Sequence, residues 1–164
     1  MAVSVEPENR MDLTTVHGDL LEQDVDAIVN AWNRNIIPWW LLIPQGVSGA
    51  IKKRAGYAPF RELARNGPIT LGGAVVTGAG RLPHKAIIHV AGINMLWRSS
   101  EQSIRGCVRS ALARAREYQF TSVAMPLIGA GTGGGRQELV LGWMWDELTG
   151  IEFDGEVRVV QFPR

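Results

Sequence analysis

The sequence predicts an α/β protein, a three-layer α/β/α sandwich around a central mixed, largely parallel sheet. Two patterns carry that expectation. Short, apolar, β-rich runs recur along the chain, each bounded by Gly, Pro or Asp. Between them lie segments whose apolar residues fall at helical spacing. A hydrophobic content of 46% in 164 residues adds that one compact core is the expected arrangement. Strands that are apolar almost throughout suit a sheet covered on both faces, and connections long enough for crossovers permit parallel pairing.

The first two strands are expected at residues 13–16 and 27–32, and short helices at 47–54 and 60–65. Strands at 74–77 and 86–90 follow. The best helix is 100–119, where Ile104, Cys107, Val108, Ala111, Leu112, Ala115 and Tyr118 share one face. Ser99 with Gln102 resembles a capping box at its start, and Arg105, Arg109, Arg114 and Arg116 read as its solvated face. A strand at 122–128, a helix at 137–148 stopped by Gly150 as a left-handed cap, and a strand at 157–162 complete the series. The expectation is a single domain over 1–164, with its core at 13–162 and 1–11 as an N-terminal extension.

Charge and cysteine usage narrow the function. Lys and Arg number 17 against 16 Asp and Glu, a net charge of +1 that supplies no long-range field for nucleic acid or anionic membrane. Any anionic ligand has to be held locally. The lone cysteine, Cys107, fits a reducing, cytoplasmic setting, and one Cys with three scattered His builds no metal site. The longest apolar stretch, 36–43, is far short of the roughly 20 residues that span a bilayer, and the first residues carry no leader pattern. A soluble chain without metal or cofactor is expected, with a monomer favoured.

Three loops after strands are where ligand chemistry is expected, because open parallel sheets bind ligands at the carboxyl ends of their strands. Five of the seven residues from Gly129 to Gly135 are glycine, placed between a strand and a helix. Main-chain N–H groups converge there without Cβ interference and the helix start favours an anion, so the loop reads as a cradle for a phosphate or diphosphate. A flexible glycine turn without ligand is the bland alternative. Gly129, Gly131 and Gly134 also fit a dinucleotide fingerprint, with Glu152 and Asp154 following. That match is weak, because the motif belongs in a first βαβ unit and only one strand remains after it. A P-loop is excluded because no Gly-Lys-Ser/Thr follows.

The second loop carries Asn33 and Asn35, whose amides suit sugar hydroxyls, and Trp39 and Trp40. These tryptophans either pack over the core edge or form a lid or stacking wall over a ribose or base. In the third loop, Asp19 after His17-Gly18 either caps the following turn or accepts from an adenine amino group. Other reactive side chains have plainer readings: His89 as a neutral core histidine, Cys107 as a small core residue, and Asp26 as an organiser of local backbone.

Together these segments resemble the macro domain family. His17-Gly18-Asp19-Leu20, Val25-Asp26-Ala27-Ile28-Val29-Asn30-Ala31-Trp32-Asn33 and Gly46-Val47-Ser48-Gly49-Ala50-Ile51 are similar to its signature, and Pro126-Leu127-Ile128-Gly129-Ala130-Gly131 continues it in order. The resemblance implies binding of ADP-ribose, with hydrolysis of ADP-ribosylated protein, through acyl or ester links to acidic residues, or of O-acetyl-ADP-ribose. It implies that Asp19 binds the adenine amino group, Leu20 a ring nitrogen through its main chain, and Asn33 the distal ribose. Asn33 is also the one candidate catalytic residue. Gly46, Val47 and Ser48 would line one side of the diphosphate. Ile128, Gly129, Ala130, Gly131, Thr132, Gly133 and Gly134 would line the other.

Two departures bear on activity. MacroD-type hydrolases carry an Asp after Gly-Val where this chain has Ser48, and many family members carry an aromatic residue where it has Gly133. The loop from Asn33 to Gly46 is longer than the usual glycine-rich one, so Trp39 or Trp40 is expected to replace the missing aromatic as a lid. The leading expectation is an ADP-ribosyl-protein hydrolase; the alternative is a non-catalytic ADP-ribose reader. A nicotinamide-dinucleotide oxidoreductase follows from the glycine fingerprint alone.

Overall fold

A computed structural model describes residues 11–42, 46–96, 98–129 and 136–162. Six strands, β1 (Met11–His17), β2 (Ala27–Trp32), β3 (Ala74–Thr77), β4 (Ala86–Ala91), β5 (Ser122–Pro126) and β6 (Gly155–Gln161), form one sheet in the order β1-β6-β5-β2-β4-β3. All neighbours are parallel except β3, which runs antiparallel to β4. Among the described residues four α-helices flank it: α1 (Gly46–Ala55), α2 (Ala58–Asn66), α3 (Glu101–Glu117) and α4 (Gln137–Thr149). The expected sandwich and mixed sheet are therefore present.

Alternation along the central strands divides the core. Val29, Ile88 and Val90 face α3 and α4, where Ile104, Cys107, Val108, Ala111, Met144 and Leu148 cover them. Ile28, Trp32, Ile87 and Ala91 face the other way, toward Ile51, Phe60 and Leu63 of α1 and α2. This is the period-two geometry of a strand with both faces buried. β1 departs from it. As an edge strand its residues alternate between half-buried and exposed for most of its length, because among the described residues it pairs with β6 alone.

Other differences are local. β5 ends at Pro126 rather than at 128, since proline offers no N–H to a ladder. The box that opens α3 is Ser100 with Ser103: each hydroxyl accepts the other's main-chain N–H, at 3.0 and 2.9 Å. Ser99 is turned away, donating to the Gly129 carbonyl at 3.3 Å. Gly150 ends α4 in a right-handed conformation, φ −93°, because the last turn closes with Gly150 N–H on Glu147 O at 3.1 Å and needs no left-handed residue. The arginines of α3 are not a simply solvated row. Arg105 reaches Asp146 at 2.7 Å and Glu147 at 3.2 Å, and Arg109 reaches Glu147 at 2.6 Å, so both tie α3 to α4. Among the described residues no helix is long and apolar enough to cross a membrane.

Candidate functional site

The parallel arrangement brings the carboxyl ends of β1, β2, β4 and β5 to one rim. The opposite rim is stapled by Asp26, whose carboxylate accepts the Thr121 N–H at 2.9 Å and pairs with Lys85 at 3.2 Å. Those contacts, the Thr121 amide first, hold its pKa below the usual carboxylate range. Asp26 thus orders backbone, as its place beside a strand start suggests.

At the carboxyl rim, Gly18 leaves β1 and Asp19 opens a single 3-10 turn, Leu20–Glu22. One carboxylate oxygen of Asp19 accepts the Leu21 N–H at 2.9 Å, the other lies 3.5 Å from Arg54 of α1, and the Leu20 side chain is buried beneath. The cap reading is therefore realised; the second oxygen stays at a partly exposed surface.

After β2 the chain turns on Asn33, whose Oδ1 accepts the Asn35 N–H at 2.6 Å. Among the described residues its side-chain amide nitrogen has no partner. Asn35 has none to spare. It takes a left-handed conformation, φ 59°, and its amide donates to Leu63 O at 2.9 Å and Gly67 O at 3.0 Å while Trp32 Nε1 donates to it at 3.3 Å. Of the two asparagines read as sugar ligands, Asn35 is structural. A shallow depression beside Asn33 is lined by Arg34, Ile36, Ile37, Asn94 and Met95.

The tryptophans diverge, as adjacent residues of a short 3-10 turn (Trp39–Leu41) do. Trp39 packs on Tyr57 and Phe60, with ring centroids 5.1 and 6.2 Å apart. Trp40 is 67% exposed. Lys52 fastens this turn: its ammonium donates to Trp39 O at 3.2 Å and lies 5.2 Å from both the Trp32 and Phe60 ring centroids. Burial lowers the Lys52 pKa, and two ring faces partly replace lost water.

Gly46, Val47 and Ser48 form the first turn of α1, with Gly46 at φ 55°. Ser48 donates to Asn30 Oδ1 at 2.8 Å. On the other wall Ile128 is buried, and Gly129 at φ 74° approaches Ser99 so closely that a Cβ would lie 2.7 Å from its side chain. Ala130, Gly131, Thr132, Gly133 and Gly134 lie outside the described residues, and with them most of the proposed cradle.

Sequence reasoning passed over Asn30. It sits mid-strand, fully buried, opposite His89 in the β2–β4 register. Its Nδ2 donates to His89 Nδ1 at 3.0 Å, and His89 Nε2 meets Thr77 Oγ1 at 2.8 Å. Burial drives the His89 pKa down to about 3, so the ring is a neutral, satisfied core histidine. A polar residue inside an otherwise apolar strand was the available signal. Among the described residues no group of three or more His, Cys, Asp or Glu could hold a metal.

A three-layer α/β/α domain whose parallel strands end on one rim, with Asn33, the capping Asp19 and the start of α1 in the connections that leave it, has the architecture in which ligands bind at strand carboxyl ends. The Macro domain family pattern matches residues 29–144. A macro domain-containing protein of Listeria monocytogenes is 37% identical over 93% of this chain and 90% of its own. The Oceanobacillus iheyensis macrodomain with ADP superposes at TM-score 0.76 with 26% identity, over 92% of this chain and 83% of that one. The Trypanosoma brucei macrodomain in complex with ADP-ribose gives 0.70 and 25%, over 90% of this chain and 63% of that one. The chain belongs to the macro domain family.

Proposed function

We propose that this chain binds ADP-ribose at the ligand rim and hydrolyses it from acyl-linked protein adducts or from O-acetyl-ADP-ribose. The observation that carries the reading is Asn33. Its oxygen is committed to the loop and its amide N–H groups have no partner among the described residues, which leaves two donors for the hydroxyls of a distal ribose. Asp19 and the Leu20 main chain take the adenine in this reading. Gly46, Val47 and Ser48 stand on one side of the diphosphate, and Ile128, Gly129, Ala130, Gly131, Thr132, Gly133 and Gly134 on the other. Trp40, the exposed member of its pair, is the lid.

The reaction needs no protein carboxylate at Ser48. Water oriented by the ligand's own diphosphate and by Asn33 attacks the distal ribose or the acyl carbon, the ester C–O bond breaks, and the surplus proton passes to solvent. Positioning of this kind lowers a barrier by several kcal/mol. The protein acts in the cytoplasm as a single domain over 1–164 and as a monomer. Its partners are ADP-ribose or ADP-ribosylated protein, without metal, cofactor, nucleic acid or membrane.

The second reading, a non-catalytic reader, is favoured by one residue, Ser48 in place of the family hydrolases' Asp. Release of free ADP-ribose from a protein mono-ADP-ribosylated on acidic residues decides between them. Turnover that Asn33→Ala abolishes supports the hydrolase. Retention of the modified protein without release supports the reader, and neither release nor retention refutes both.

A further inference from the structure

The near-zero net charge is a cancellation between two parts of the chain. Residues 27–100, from the start of β2 to the residue before α3, hold nine Lys and Arg against a single acid, Glu62, while the remaining residues hold eight against fifteen. On α3 the arginines are largely neutralised: Arg105 pairs with Glu101, Asp146 and Glu147, Arg109 with Glu147, and Arg114 with Glu117. The basic part is not matched in this way. Arg54 pairs with Glu22 at 2.7 Å and Lys85 with Asp26 at 3.2 Å, but Lys53, Arg61, Arg65 and Arg81 are exposed and have no carboxylate partner among the described residues. Glu62 is spent on main chain, accepting the Gly78 N–H at 3.0 Å.

These four cations gather about the junction of α1 and α2. The Arg81 N–H donates to Ala55 O at 3.0 Å, and its guanidinium lies against Gly56, 3.2 Å from where a Cβ would stand. Lys53 is in the last turn of α1, and Arg61 and Arg65 are one turn apart on α2. Tyr57, 53% exposed, precedes α2 between them, and its ring meets Trp39 at 5.1 Å between centroids. The basic surface therefore runs into the Trp39–Leu41 turn, in the same connection that begins at Asn33.

We propose that this surface docks an acidic segment of the ADP-ribosylated protein, flanking the modified residue. Exposed like charges without partners repel one another, and an acidic partner relieves that repulsion. Three of the four are arginines, whose planar fork takes a carboxylate through two hydrogen bonds. A short segment fits better than a nucleic acid, because the patch covers one helix pair and the net negative remainder of the molecule repels a long polyanion. The inference rests on the ADP-ribose reading above and adds to it a preference for the sequence around the modified residue.

Two peptides that carry ADP-ribose on one side chain through a non-hydrolysable link test it, one flanked by Asp and Glu and the other by Asn and Gln. Both are titrated into wild type, Arg61→Gln/Arg65→Gln and Lys53→Gln/Arg81→Gln, with free ADP-ribose as reference. The wild type is expected to bind the acidic peptide about three- to tenfold more tightly at low salt, with the preference fading by about 0.5 M salt. Both variants should reduce that preference and keep the affinity for free ADP-ribose. Equal wild-type affinity for the two peptides, or a preference that neither variant reduces, overturns the inference. Tighter binding of an unmodified single-stranded oligonucleotide than of an unmodified acidic peptide of equal charge makes nucleic acid the partner and also overturns it. So does a salt-sensitive dimer in sedimentation that the same substitutions abolish, which makes a second copy the occupant. A wild type that fails to bind ADP-ribose refutes the function reading and this inference together, whereas one that binds ADP-ribose without preferring the acidic flank refutes the inference alone.

Discussion

Acidification probes the burial of His89 directly. In an unfolded chain the ring takes its proton near pH 6.5; in the fold, burial pushes that value down to about 3. Among the described residues no carboxylate hydrogen-bonds the imidazole. Its neighbours are Asn30, Thr77 and the edge of Phe60, 5.8 Å away between ring centroids. Between the two pKa values the unfolded state binds one proton more than the native state. This stability is therefore complete above pH 6.5 and is lost as pH falls toward 3. About 3.5 pH units at 1.36 kcal/mol each set a ceiling of about 5 kcal/mol, and the loss from pH 7 to pH 5 is about 2 kcal/mol. Urea midpoints of wild type and His89→Gln at pH 7, 6 and 5 measure it. Asp26 and Glu147, whose pKa values lie below the ordinary carboxylate range, also lose stability in acid, but equally in both proteins. The wild type should lose about 2 kcal/mol more than the variant over this interval. Parallel curves would show that His89 is protonated in the native state and refute the burial argument.

Gly80→Ala, at φ 58° with a new Cβ 2.3 Å from Ala55 O, should cost at least about 2 kcal/mol in thermal or urea unfolding. Gly142→Ala, in the interior of α4 with nothing within 4 Å, should instead stabilise by about 0.5–1 kcal/mol; opposite signs in the same assay are the check. Trp39→Ala should lower stability by about 2 kcal/mol, since Trp39 packs on two rings. Trp40→Ala should leave stability within about 0.5 kcal/mol and weaken ADP-ribose binding, and unchanged affinity in both variants would sink the lid. Cys107, its thiol pushed up to about 12 by burial, should resist a thiol reagent at pH 8 until the protein unfolds, and prompt labelling of the native state would contradict its place in the core.

Most of the architecture was legible because apolar periodicity and turn residues act locally. β2 and β3 occupy the expected residues, and α3 and α4 lie within a few residues of theirs. Side-chain commitments were less legible, because they depend on which strands become neighbours. Nothing near Asn30 in the sequence points to His89, which lies 59 residues away and meets it only through the β2–β4 register. Asn33 and Asn35 look alike as text, yet one amide is spent on Leu63 and Gly67 and the other is not. The arginines of α3 likewise find Asp146 and Glu147 only once α4 packs beside them. Asp19, a cap whose partner is two residues away, was readable for the same reason that Asn30 was not.

The two faces of the sheet carry unequal chemistry. Toward α3 and α4 the described core is Ile, Val, Leu, Met, Ala and one Phe, with an inert thiol and the capping Ser103 as its polar exceptions; toward α1 and α2 it also holds a lysine, an asparagine and a histidine in fixed relations. Volume-conserving change is cheap in the first layer and risky in the second, where Asn30 and His89 hold each other and Lys52 holds the Trp39 carbonyl. Such a protein can drift toward greater or lesser heat resistance by rewriting the α3–α4 side while its ligand rim stays the same. An engineer seeking a sturdier variant would begin there, with the sheet as the partition between what is free to vary and what is not.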